Sequence, residues 1–358
     1  MAKNNQKKIK VGISVGDLNG IGPEIIIKSL EDSRILELFT PVIFANVKTM
    51  TFYKNHFDSK INFYGTNQED KILDGKVNVV NIWKEKPTIQ FGKNDQTIGS
   101  YAIKSLEAAV KSLKNSTIDV LVTAPINKEN IQSDTFNFPG HTDYLNQELE
   151  GNSLMFMVSD DLRMGLLTDH VPLKDITNHL NESLITEKIK TITTSLQKDF
   201  LIPKPKVAVL AINPHAGDHG VIGHEDDVLL MPILKKEQEK GHLIYGPYAA
   251  DSFFGSGNHQ NFDAIIATYH DQGLIPFKTI AFGEGVNYTA GLDKIRTSPD
   301  HGTAYEIAGK GEANTSSFMR AIELAIDIFK NRETYKQITK NPLKIKKTER
   351  RAQKRFSR

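Results

Sequence analysis

Seven short apolar runs punctuate the chain: KVGISV (10–15), PVIFA (41–45), DVLVTA (119–124), LMFMV (154–158), MGLLT (164–168), KVAVLAI (206–212) and DAIIAT (263–268). Each is shorter than a typical helix and most are rich in Val and Ile, as expected of strands buried on both faces. Between them apolar positions recur every three or four residues. That spacing predicts helices over 97–115 and 315–332, with Thr and Ser as the expected caps. The segment 225–241 begins acidic and ends Lys-rich before a glycine, the polarity that a helix dipole favours. In GPEIIIKSL (22–30) the proline falls at the first helical position. Alternating strands and helices predict α/β layers around a mostly parallel sheet. There is no internal repeat and no low-complexity linker, so the pattern alone marks no domain boundary.

At 358 residues the chain is long enough for two domains or one large one. With 39% hydrophobic and 25% charged residues it has the composition of a globular protein with a sizeable core. A net charge of +2 gives no global field toward nucleic acid or membrane. There is no cysteine, which excludes disulfides, thiolate catalysis and Cys-type zinc sites, so any metal must be held by His, Asp or Glu. No apolar run reaches the roughly 18 residues of a membrane span, and the N-terminus lacks a signal-peptide core. The expected location is the cytoplasm, with no membrane and no nucleic-acid partner. The last fifteen residues carry eight Lys/Arg and one Glu, a charge of +7 that leaves −5 on residues 1–343. The tail reads as a solvated face. A polyanion contact would be supported by aromatic residues interleaved with the charges, and a lone Phe356 is not such a pattern.

In α/β sheets ligands bind beyond the carboxyl ends of strands. Three of the expected strands each deliver one imidazole there: His170, His215 and His270. If those strands are neighbours, the three rings converge on one divalent ion. Their spacings, 45 and 55 residues, form no local ligand motif. Asp169 and Asp271 adjoin two of the rings, as second ligands' partners or as turn residues. A second group suits an anion: His141 and Thr142 at an expected helix start, then Lys278, Asn287 and Arg296 in a Gly-rich, irregular stretch. The loop VGDLNGIGPE (15–24) follows a strand and precedes a helix, yet matches neither the dinucleotide fingerprint nor the P-loop.

Taken together, GIGPE, TAPINK, FPGHTDYL, DHVPL, NPHAGDHGVIGHED, GPYAADSFF, YHDQGLIPFK, GVNYTAGL and IRTSPDHGTAYEIAGKG resemble the 4-hydroxythreonine-4-phosphate dehydrogenase family of pyridoxal 5′-phosphate (vitamin B6) synthesis. The resemblance runs in order from about residue 10 to about 330. It implies an isocitrate/isopropylmalate dehydrogenase-like fold, with two α/β/α domains, a cleft between them, and a homodimer whose active site is shared between subunits. The implied domains are 1–130 plus 275–340 on the cofactor side and 131–274 for metal and dimerisation, followed by a basic tail, 341–358. His170, His215 and His270 fall on the family's metal ligands, shared across the dimer interface, for zinc, magnesium or cobalt. His141, Thr142, Lys278, Asn287 and Arg296 fall on its substrate positions. HGTAYEIAGKG resembles the adenine-side loop of the superfamily, which assigns His301, Gly302, Thr303 and Gly309 to NAD, with NADP left open. The chain departs from the family in its first loop, which reads Gly-Asp-Leu-Asn-Gly where the usual pattern is Gly-Glu/Asp-Pro-Ala-Gly.

The reaction implied is NAD-dependent oxidation of 4-phosphooxy-L-threonine at C3, then decarboxylation to 3-amino-2-oxopropyl phosphate. Asp251 and Asp271 are the expected proton acceptors, and Lys278 clamps the anionic end of the substrate. The competing expectations are a sibling dehydrogenase acting on a threonate or other hydroxy acid such as a sugar acid, a phosphate-binding acyltransferase of the same fold, and an RNA-associated protein working through the tail.

Overall fold

The computed structural model describes residues 8–134 and 136–342, so the charged end of the expected tail lies outside the described residues. Twelve strands form one continuous sheet: β1 (Ile9–Ser14), β2 (Phe39–Ala45), β3 (Phe63–Thr66), β4 (Val77–Asn81), β5 (Val120–Thr123), β6 (Gly151–Val158), β7 (Arg163–Leu166), β8 (Lys206–Leu210), β9 (Leu243–Tyr248), β10 (Ala264–Ala267), β11 (Val286–Leu292) and β12 (Arg296–Pro299). The helices are α1 (Gly22–Leu30), α2 (Val47–His56), α3 (Gln96–Lys114), α4 (His141–Glu148), α5 (Ile176–His179), α6 (Glu182–Lys198), α7 (Met231–Glu239), α8 (Ala250–Gly255), α9 (His270–Ile280) and α10 (Ser316–Thr339). Among the described residues no helix is long and apolar enough to cross a membrane.

The strand order is β3-β4-β2-β1-β5-β12-β11-β6-β7-β10-β8-β9. All ladders are parallel except β12–β11, β11–β6 and β6–β7. Two parallel blocks are thus joined by an antiparallel seam. The expected strands are all present, and the sheet is mostly parallel as the buried runs predicted. The expected caps are corrected in both long helices. Asp95, whose carboxylate accepts from the Thr97 and Ile98 amides, caps α3, and α10 has no side-chain cap. The segment 225–241 is also not one helix: a π-turn at Asp226–Leu230 precedes α7, with Pro232 in the first turn of α7.

Alternation along the strands sorts the core into layers. On one face a single apolar cluster spans both blocks, with Val11 and Ile13 of β1, Val207 and Val209 of β8, and α1, α6 and α10 above them. On the other face the core is split. Val42, Phe44 and Leu121 pack under α3 and α4, while Met164, Leu210 and Ile265 pack under α8 and α9. The functional cleft opens between these two clusters, above the antiparallel seam.

Candidate active site

The cleft, of about 300 Å³, is bordered by residues from both blocks and from the seam between them. Two helices present their first residues to it, His141 of α4 and His270 of α9, so two positive dipole ends face the same space. His270, Leu274 and Lys278 are spaced by four and line the cleft from one face of α9. The opposite face of that helix, with Asp271, Ile275 and Thr279, borders a separate, more apolar hollow of about 590 Å³.

The floor is Arg296, the first residue of β12. It is 2% exposed, and its guanidinium donates only to hydroxyls: Nε and Nη2 to Thr123 Oγ1 at 3.0 and 2.6 Å, and Nη1 to Thr289 Oγ1 at 3.1 Å. No ion pair reaches it among the described residues, and burial alone pushes it down to about 9. A buried cation without a counter-charge is costly unless a ligand supplies one. Around it stand further unsatisfied groups. His141 Nε2, Asn287 Oδ1 and His301 Nε2 are buried without a hydrogen-bond partner. Burial first, then the charges of Arg296 and Lys128, hold His141 well below its usual range, so its ring is neutral at pH 7. Lys278 pairs with Asp300 at 3.2 Å, while burial pushes Asp300 up and His301 down.

The anion group expected from sequence therefore stands together: His141, Thr142, Lys278, Asn287 and Arg296 all line one cleft. Sequence reasoning missed Lys128 and Thr123. Lys128 lies in the loop that follows β5, beyond a strand's carboxyl end, and TAPINK carried that signal.

The three strand-end histidines follow β7, β10 and β8, which are indeed neighbours. Two of the rings meet: His170 and His270 lie 5.9 Å apart, centroid to centroid, on the rim of the cleft. Asp271 Oδ1 lies 2.7 Å from His270 Nδ1; with the proton on Nδ1, the Nε2 lone pair is left free for a metal. His215 does not line the cleft. Its loop winds through five consecutive left-handed residues, His215 to His219, with φ between 45° and 80°. Within one chain the cleft is thus lined by two of the three expected ligands, His170 and His270. Among the described residues no group of three His, Cys, Asp or Glu could hold a metal ion. The two rings fit part of a coordination shell and leave it open. Asp251 likewise lies outside the cleft, in the hollow behind α9 with Asp271.

The expected cofactor loop starts in the cleft and leaves it. His301 and Gly302 border the space, and a Cβ on Gly302 would meet nothing within 4 Å. Thr303 turns away, its carbonyl accepting from Ile21 N at 3.0 Å, and Gly309 lies beside the Phe91 ring.

The fold and the cleft define an α/β protein in which a buried arginine without a counter-charge lies between two core clusters. Residues 37–325 match the family described as "Pyridoxal phosphate biosynthetic protein PdxA". The chain is 46% identical over 341 residues to a 4-hydroxythreonine-4-phosphate dehydrogenase of Bacteroides thetaiotaomicron, covering 95% of this chain and 94% of that one. It is also 33% identical over 323 residues to a D-threonate 4-phosphate dehydrogenase of Cupriavidus necator, covering 89% and 96%. A crystal structure of 4-hydroxythreonine-4-phosphate dehydrogenase from Klebsiella pneumoniae superposes with a TM-score of 0.78 at 30% identity, covering 91% and 99%. The chain belongs to the PdxA family of pyridoxal phosphate biosynthesis and is an oxidoreductase of the 4-hydroxythreonine-4-phosphate dehydrogenase type.

Proposed function

We propose that this chain oxidises 4-phosphooxy-L-threonine at C3 with NAD and that the resulting 3-oxo acid loses CO₂ to give 3-amino-2-oxopropyl phosphate. The observation that carries this reading is Arg296, a buried guanidinium with hydroxyl partners only, at the floor of a cleft that also holds Lys128 and Lys278. Such a floor favours a substrate with an anionic end over a neutral alcohol. Fixing that end holds the C3 hydroxyl in one place, and positioning of this kind supplies several kcal/mol. His141, neutral and with Nε2 unpaired, can donate to or accept from the bound substrate without adding charge. His301 and Gly302 border the same space, which supports the approach of a nicotinamide nucleotide from that side.

His170 and His270 would hold a divalent ion, which as a Lewis acid stabilises negative charge on the substrate oxygen. The missing ligand is His215 of a second copy, with Asp251 arriving by the same route. This is supported by the open coordination shell and by exposed apolar side chains near α9 and the 221–231 segment: Ile275 is 65%, Phe282 90%, Val221 82% and Val228 71% exposed. The assembly is then a homodimer, with each site completed across the interface.

The test is NADH formation from 4-phosphooxy-L-threonine with zinc, magnesium or cobalt added, run beside 4-phospho-D-threonate. Faster turnover of the threonate would move the assignment to the sibling activity. The His270→Ala and His215→Ala variants are each expected to lose bound metal and turnover while keeping the fold. Metal retained at wild-type stoichiometry in both would remove the metal role.

A further inference from the structure

The first loop departs from the family pattern at Asn19, and the structure gives that residue full employment. Asn19 is buried, at 0% exposure. Its Oδ1 accepts from Gln90 N at 2.8 Å and its Nδ2 donates to Lys93 O at 2.8 Å. Its backbone carbonyl accepts from Gly92 N at 2.8 Å, and its backbone amide donates to Asp17 Oδ1 at 2.8 Å. An alanine at this position would offer neither side-chain bond. Asn19 thus clamps the segment 90–93, which has no regular structure of its own, to the turn between β1 and α1.

The clamped segment is the bed of the 303–311 loop. Gly92 has φ of +75°, and a Cβ there would come within 2.7 Å of the Tyr305 carbonyl. A Cβ on Gly309 would strike the Phe91 ring at 2.5 Å. The Phe91 ring lies 4.6 Å from His56, whose Nε2 is 2.8 Å from the Gly309 carbonyl. From the other side Tyr305 Oη donates to Asp17 Oδ2 at 2.7 Å, so the turn that carries Asn19 also holds the loop directly. Shifting 90–93 by a fraction of an ångström must shift 305–309, because the contacts between them leave no slack.

We propose that Asn19 is a positioning residue for the dinucleotide: through 90–93 and Phe91 it sets the shape of the 303–311 loop, and with it cofactor affinity. This rests on the NAD reading given above. It concerns one arm of the site only, because none of these residues borders the anion floor.

The test uses the full chain and two ligands. NADH affinity is measured by nucleotide fluorescence, and inorganic phosphate affinity by its effect on thermal unfolding. Loss of two buried hydrogen bonds in Asn19→Ala should raise the NADH Kd about tenfold and leave phosphate affinity unchanged. Phe91→Ala keeps every bond between Asn19 and 90–93, since those reach only backbone atoms of that segment, and should weaken NADH similarly. It stands in if Asn19→Ala fails to fold. NADH affinity within twofold of wild type in the folded variants would overturn the proposal, as would equal weakening of NADH and phosphate, which signals general loosening. A wild-type chain that binds phosphate but no NADH would instead overturn the cofactor reading itself, and the inference with it.

Discussion

Arg296 and Arg332 are both buried, at 2% and 6% exposure, but their surroundings differ. Arg332 of α10 donates to Asp199 Oδ1 at 2.7 Å, to the Asp293 carbonyl at 2.7 Å and to Tyr288 Oη at 3.0 Å. Asp199 is itself completed by Ser195 and Tyr288, at 2.6 and 2.7 Å. Burial alone would lower Arg332, but Tyr288 and Asp199 outweigh it and the guanidinium is raised. Arg296 has two threonine hydroxyls and no carboxylate, and burial pushes it down to about 9. The same residue type at similar depth is in one place fully compensated and in the other left short by one negative charge. A closed network holds the fold together, whereas an open one is completed by a ligand.

The comparison breaks most sharply if the two arginines are removed in turn. Arg296→Met should cut kcat/KM by a factor on the order of 10³, consistent with 2–5 kcal/mol for loss of one partner of a desolvated charge pair. Its stability toward urea should equal or exceed wild type, because an uncompensated charge has gone. Urea curves showing marked destabilisation would put Arg296 in the same class as Arg332. Arg332→Met should do the reverse. It strands Asp199 and should cost about 3–5 kcal/mol of unfolding free energy, with the remaining folded enzyme nearly as active as wild type. Adding Asp199→Leu should recover part of that loss.

The smallest effect sharpens the picture of the floor. His141 is held neutral in the folded chain, while in the unfolded chain it titrates near the ordinary imidazole value of 6.5. Below that pH the unfolded state takes up a proton that the folded state refuses, so stability falls with acid, by at most about 1.4 kcal/mol per pH unit. In His141→Gln the slope of unfolding free energy between pH 5 and 6.5 should flatten by up to that amount, and an unchanged slope would mean that the ring is charged in the cleft.

Much of this was legible in the sequence, for particular reasons. Strands such as DAIIAT and KVAVLAI announce themselves because both faces are buried and every position is apolar. The seam strand β11, VNYTAGL, and β12, RTSP, do not: polar residues such as Asn287, Thr289, Arg296 and Ser298 interrupt the apolar pattern, so the stretch reads as irregular. The anion residues were legible because Lys, Arg and Asn cluster near His270 in sequence and then in space. Asp251 and His215 were legible as residue types but not as members of this cleft. Their loops lead elsewhere on the single chain, and strand-end position carries no information on which way a loop turns. Asn19 was visible only as a departure from pattern. Its partners, 71 to 74 residues away, could not be read from spacing.

Helix α9 carries His270 and Lys278 two turns apart on its inner side, and Asp271, Ile275 and Thr279 on its outer side. The backbone between them is one hydrogen-bonded ladder, interrupted at Pro276, which has no amide proton to give. One length of chain thus answers to two surroundings, and a substitution at Ile275 or Thr279 is felt at both the imidazole and the ammonium.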